Sequence, residues 1–330
     1  DGMLPLGDDV KSIAVIGGHA DAVTPVGGGS SKVLGDDGPS ITVPFLRDGT
    51  AAFAFMLDQD FNRSSPLTAI RAAVPGATVR FRDGRYPREA ALLASQADVA
   101  IVFANQYQTE GFDLPDLSLP NGQDALIAAV ASANPNTIVV LQTGGPVLMP
   151  WKDEVKAVVE AWYSGARGGE AIADVLVGKV NPSGRLPISF PQSVEQLPRP
   201  QLDGLGTVEP NFPGAGAPGQ TLDVTYDIEG SDIGYRWYAR EGLEPLFPLG
   251  HGLSYTSFAH DGLEVEREGD RLIARFTVRN VGERAGADVP QVYLADAAGR
   301  AMRRLAGFAK VELAPGEART LELPLEWRVV

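Results

Sequence analysis

Three short runs of apolar, largely β-branched residues limit what this chain can fold into: "SIAVI" at Ser12–Ile16, "VAIVF" at Val99–Phe103 and "TIVVL" at Thr137–Leu141. Runs this continuous leave no solvated face, so they mark strands buried on both sides, as in a parallel sheet covered by helices. Helical patterns fall between them. Ser65–Gly76 ("SPLTAIRAAVPG") has Pro66 at its first turn and a glycine past its end, and "TVRF" after it reads as a strand. Pro87–Gln96 is a second helix, and Asn121 is expected to cap a third, with Asp124 three residues on. Ala157–Trp162 is a further buried-strand candidate, followed by the helix "EAIADVLVG", whose Ile172, Val175 and Leu176 share a face. Strands alternating with helices over residues 1 to about 195 predict a doubly wound α/β domain.

Near Pro191 the pattern changes. The segment from Gln192 to Thr221 is dense in Pro and Gly and reads as a linker or a long surface excursion. Beyond Phe258 the residues alternate apolar and polar in "RLIARFTVRNVG", "VPQVYLAD" and "RTLELPLEW", with Asn280, Gly282, Pro315 and Gly316 at turns. Alternating strands with no helices between them predict a β-sandwich.

Charge and composition narrow the function. The net charge is −14, with 28 basic against 42 acidic residues, which opposes phosphate backbones and anionic membranes and favours neutral ligands. With no Cys, disulfides, thiolate metal sites and a Cys nucleophile are excluded. The three His residues, His19, His251 and His260, are scattered; no His-x-x-x-His zinc spacing exists and a Ser-His-Asp triad has few candidates. No apolar run reaches 18 residues, and "DGMLPLGDDV" lacks the basic-then-apolar pattern of a signal peptide.

Chemistry is expected on the loop after Val99–Phe103, because ligands of open α/β sheets sit outside the carboxyl ends of the strands. That loop carries Glu110, Asp113 and Asp116. Glu110, between a Thr and a Gly, suits presentation at a turn, although spacing alone also allows a solvated loop carboxylate. After the first strand, Gly17 and Gly18 do not form G-x-G-x-x-G, so a dinucleotide site is not supported. Farther on, "GGGSS" at Gly27–Ser31 is either a tight turn or a place where backbone approaches a ligand.

Nearly the whole chain resembles the C-terminal half of glycoside hydrolase family 3, the β-glucosidase-like enzymes. The stretches that carry the resemblance are "IAVIGGHAD", "GGGSS", "TEGFDLPDLSLPNGQ", "EAWYSGARGGEAIADVLVGKVNPSGRLPISFP", "GYRWYAREGLEPLFPLGHGLSYTSF" and "VRNVGERAGADVPQVYL". The resemblance implies an (α/β)6 sandwich domain over residues 1–199, a Pro/Gly-rich linker and connecting segment over 200–257, and a fibronectin type III-like domain over 258–330. It also implies a retaining glycosidase acting on β-glucosides or short β-glucans, with Glu110 as acid/base and Asp113 supporting its loop. Gly29, Ser30 and Ser31 become substrate contacts, and no metal or other cofactor is expected. In the family an earlier (β/α)8 barrel supplies an Asp nucleophile. No barrel precedes "DGMLPL" and no acidic residue lies in the nucleophile motif, so this portion alone is expected to be inactive, the barrel being its partner. The last domain is shorter than the ~100 residues of a seven-stranded sandwich, so it is expected to be incomplete, with an unpaired edge. The competing expectation is a non-catalytic carbohydrate-binding or interaction module. The family's habit and the absence of Cys imply periplasm or secretion. Asp21 reads as a turn residue, and Arg185 and His251 as interdomain packing.

Overall fold

The computed structural model describes residues 2–44, 57–111, 114–201, 225–297 and 299–326. Its contacts divide the chain into two units, one running from Asp1 to Lys179 and the other containing Val180–Pro200 and Thr225–Val330.

In the first unit the elements are β1 (Ser12–Ile16), β2 (Thr24–Pro25), β3 (Ile41–Val43), β4 (Gln59–Asn62), α1 (Pro66–Ala73), β5 (Thr78–Arg82), α2 (Pro87–Ala94), β6 (Val99–Asn105), α3 (Gln123–Ala133), β7 (Thr137–Gln142), β8 (Ala157–Glu160) and α4 (Gly168–Leu176). Five of these strands form a parallel sheet in the order β5-β1-β6-β7-β8, in which Ile13 pairs with Val79 and Val99, and Val102 with Val139. Alternate residues of the continuous runs bury opposite faces. Ile13, Val15, Ile101, Phe103, Ile138 and Val140 pack with Leu67 and Ile70 of α1 and Ile172 and Leu176 of α4. The intervening Ala14, Ile16, Ala100, Val102, Val139 and Leu141 are also buried, as are Leu93 of α2 and Leu126, Ile127 and Val130 of α3. Burying such side chains stabilises by about 1.5–3 kcal/mol each for the larger ones, which is why the two-sided runs fix the sheet.

Two local readings need correction. Asn121 does not cap α3: it lies at φ 60 in a short turn, and Gly122, also left-handed, stands at the cap without a side-chain bond. The chain must reverse after Pro120, and Asn and Gly are the residues that enter the left-handed region at low cost. Asp124 instead accepts the Leu119 amide and, at 2.7 Å, the Trp151 indole N–H. The strand at 157 ends at Glu160 and is only partly buried, because β8 is the sheet's edge. Ser65 caps α1, accepting the Thr68 amide at 3.1 Å. β3 and β4 form a small antiparallel sheet with β2.

The second unit contains α5 (Tyr235–Glu241), β9 (Phe258–Glu268), β10 (Arg271–Asn280), β11 (Gly286–Asp288), β12 (Gln291–Ala297), β13 (Arg300–Phe308), β14 (Val311–Leu313) and β15 (Ala318–Leu325). The strands pair antiparallel as β15-β10-β9, β11-β14 and β12-β13. Ala274, Phe276, Val278, Val311, Leu313 and Leu323 form the core. β15 is at a sheet edge, paired through β10. The segment Val180–Pro200, which the sequence groups with the α/β domain, makes its contacts here: Leu186 and Phe190 bond backbone to backbone with His251 and Phe247. Arg185 pairs with the buried Asp288 at 2.9 Å, and His251 stacks on Phe247.

Candidate active site

The strand order creates the site. From β1 the chain goes to β5 on one side and then back across to β6 on the other, so β1 and β6 are neighbours whose connections leave in opposite directions. Such a switch point opens a crevice at the carboxyl ends of the strands. The loop after β6 and the glycine loop that follows β1 and β2 meet: Gly28 bridges to Thr109, its amide donating to the Gln108 carbonyl at 3.0 Å.

Glu110 is exposed at this meeting point, and its Oε2 accepts the Ser30 amide at 2.7 Å across 80 residues of sequence. The Ser30 hydroxyl and then its amide hold the Glu110 carboxyl below the usual carboxylate range. The glycines explain how two loops can approach so closely. Gly29 is buried at φ +69, and a Cβ there would lie 2.4 Å from the Glu110 Cβ. A Cβ on Gly28 would run into the Tyr107 hydroxyl and Thr109. "GGGSS" is thus both a turn and a seat for another loop. Ser31, exposed, donates to the Gly28 carbonyl at 2.8 Å. Asp113 lies outside the described residues. Asp21 contributes its carbonyl to the Ser65 hydroxyl, and His19, exposed at φ 55, sets its ring edge against Phe61.

Several residues that sequence reading passes over hold the Glu110 loop. The Tyr163 hydroxyl accepts the Gln108 amide and donates to the Gln106 carbonyl, both at 2.7 Å. Burial pushes its ionisation far up, so the phenol keeps that proton. Tyr107 donates to the Leu57 carbonyl. Gln123 at the start of α3 brackets the end of β6, accepting the Asn105 amide at 2.9 Å and donating to its carbonyl at 2.7 Å. Sequence reading also passes over Glu160, at the end of β8. Among the described residues no group of three or more His, Cys, Asp or Glu is placed to hold a metal ion.

An open parallel α/β unit with an exposed carboxylate at its switch point, followed along the chain by paired antiparallel strands, defines the class. Residues 1–255 match the glycosyl hydrolase family 3 C-terminal domain and residues 288–330 a fibronectin type III-like domain. The chain belongs to glycosyl hydrolase family 3. It is 45% identical over 256 residues to β-glucosidase B of Emericella nidulans, covering 73% of this chain and 29% of that protein. It is 43% identical over 250 residues to thermostable β-glucosidase B of Acetivibrio thermocellus, covering 73% of this chain and 31% of that protein. The crystal structure of DesR, a β-glucosidase from Streptomyces venezuelae in complex with D-glucose, superposes with a TM-score of 0.77 at 31% identity, over 99% of this chain and 52% of that one. The chain therefore spans about 30% of the length of these curated relatives and corresponds to the C-terminal portion of β-glucosidase-like enzymes.

Proposed function

We propose that this chain supplies the acid/base carboxylate of a retaining β-glycosidase, with Glu110 as proton donor and β-glucosides or short β-glucans as substrates. The observation that carries the reading is an exposed carboxylate fixed at the switch-point crevice by Ser30 rather than left free on a mobile loop. A retaining mechanism needs a second carboxyl about 5 Å away to attack the anomeric carbon, and the relatives, about three times as long as their match to this chain, have a further part to provide it. In this reading Gly29 and Ser30 seat Glu110, while the exposed Ser31 beside them is a further substrate contact. Without the second carboxylate the chain has only part of the catalytic apparatus.

The test joins this chain to the barrel-bearing part that such relatives are proposed to contain and replaces Glu110 by Ala. Hydrolysis of substrates with poor leaving groups should fall by about 10²–10⁴, with activated aryl glucosides less affected and turnover partly restored by azide. Uniform loss across leaving groups, with no azide rescue, removes Glu110 from the role.

A further inference from the structure

Glu160 ends β8 between Val159 and Ala161, with its carboxyl largely removed from water. Its Oε1 accepts the Trp162 amide at 2.8 Å, and its Oε2 lies 3.3 Å from the Thr143 hydroxyl. Thr143 is fully buried and has one hydroxyl proton, which goes at 2.7 Å to the Gly145 carbonyl, a group that can only accept. The same hydroxyl is directed at Glu160 Oε2, so the Gly145 carbonyl and Glu160 share the one Thr143 donor. The turn so held is the one on which Gln108 rests. A Cβ on Gly144 would come within 2.4 Å of the Gln108 Oε1, and one on Gly145 within 3.1 Å of both side-chain amide atoms. Gln108 is in turn pinned by Tyr163 and Gly28, two residues before Glu110.

We propose that Glu160 is a positioning residue for Glu110: its carboxyl, bonded to Thr143 and Trp162, locks the turn from Thr143 to Gly145, and that turn holds Gln108 and the Glu110 loop against Ser30. The catalytic meaning of this coupling rests on the function proposed for Glu110, but the coupling itself can be read without turnover. Burial raises the Glu160 carboxyl to about 8, against the Trp162 amide and the Thr143 hydroxyl and amide, which favour the anion. The neighbouring titratable groups are phenols. Tyr163 is raised by burial, by Tyr107 and by Glu160 itself, and Tyr107 by burial and by Asp60 and Asp58. Ionising Glu160 puts a charge on the group that Thr143 and Trp162 contact, so the lock changes as pH passes about 8.

The experiment uses the full chain with carboxyl-13C glutamate, the Glu110 resonance being assigned by Glu110→Gln, together with the Ser30 amide proton shift. In the unsubstituted chain Glu110 should titrate below the ordinary glutamate value, and the Ser30 amide should show a second inflection near pH 8. Glu160→Gln keeps the side chain's shape and a carbonyl acceptor but carries no titrating group; it should keep the low Glu110 midpoint and lose the second inflection. Glu160→Ala and Thr143→Val should each move the Glu110 midpoint up toward about 4.3. An unchanged Glu110 midpoint and Ser30 shift in the folded variants overturns the proposal, as does Glu160→Gln behaving like Glu160→Ala. Should Glu160→Ala not fold, Thr143→Val and the inflection in the unsubstituted chain decide. The catalytic reading of Glu110 fails separately, in the leaving-group and azide assays, whatever the titrations show.

Discussion

Replacing Glu160 by Gln should make the stability of the α/β unit less dependent on pH. The folded chain binds the Glu160 proton more tightly than the unfolded chain, with the group raised from its ordinary 4.5 to about 8. The associated stability is complete below about pH 4.5 and drains away as pH rises to about 8, because the unfolded chain loses its proton first. Within that window the slope is about −1.4 kcal/mol per pH unit, and between pH 5 and pH 8 the loss sums to about 3 kcal/mol. That is a large share of a typical domain's 5–15 kcal/mol. Gln at this position carries no proton to lose, and its carbonyl can still accept the Trp162 amide. Urea unfolding followed by tryptophan fluorescence, in which the buried Trp151 reports on this unit, measures both proteins at each pH. The difference between the two curves cancels the titration of every other group. The variant should therefore gain about 3 kcal/mol over the unsubstituted chain across that range. Parallel curves would refute the reasoning, for they would mean that Glu160 ionises in the folded state as readily as in water.

Two further outcomes follow from the packing. Gly29→Ala forces a side chain into the left-handed region at a cost of about 1–2 kcal/mol and drives its Cβ into Glu110, so the carboxyl should leave Ser30 and its titration midpoint should rise; carbon NMR of the Glu110 carboxyl checks this. Asn280, fully buried in the second unit, donates to the Arg284 and Leu313 carbonyls and accepts from the Thr256 hydroxyl and the Gly282 amide. Asn280→Leu strands those partners and should cost that unit about 3 kcal/mol or more, seen as an earlier denaturant midpoint for a fluorophore placed there, with α/β unfolding unchanged.

The parallel sheet was legible because Ile13–Ile16, Val99–Phe103 and Thr137–Leu141 are apolar at successive positions, a pattern only two-sided burial sustains. β8 reads the same way in sequence yet lies at an edge, and strand order is not written in a single strand's composition. The capping pattern at Asn121 misled because side-chain chemistry suggests a cap where the backbone needs a left-handed reversal. Both halves of the candidate site, Gly29–Ser31 and Glu110, could be picked out separately, one by its glycines and one by its place after a buried strand. Their meeting depends on β1 and β6 being adjacent, which is tertiary information. Glu160 shows the same limit more sharply: its chemistry comes from burial beside Thr143, and no spacing rule reveals it.

The direction of the Glu110 shift constrains how the proposed enzyme can work. A general acid must hold its proton near working pH, yet in this chain Ser30 favours the Glu110 anion. The Ser30 contact suits the other half of a retaining cycle, in which the same residue, now ionised, takes a proton from the attacking water. The acid half then demands an opposing influence strong enough to exceed the Ser30 bonds, and a second carboxylate about 5 Å away has the right sign, since like charges at that distance resist ionising together. Once that carboxylate is consumed in a covalent glycosyl bond its charge is gone, and Glu110 returns to the low value that Ser30 sets. On this account Ser30 tunes the second step and the partner carboxylate the first, so the proton inventory of Glu110 alternates with the covalent state of the nucleophile.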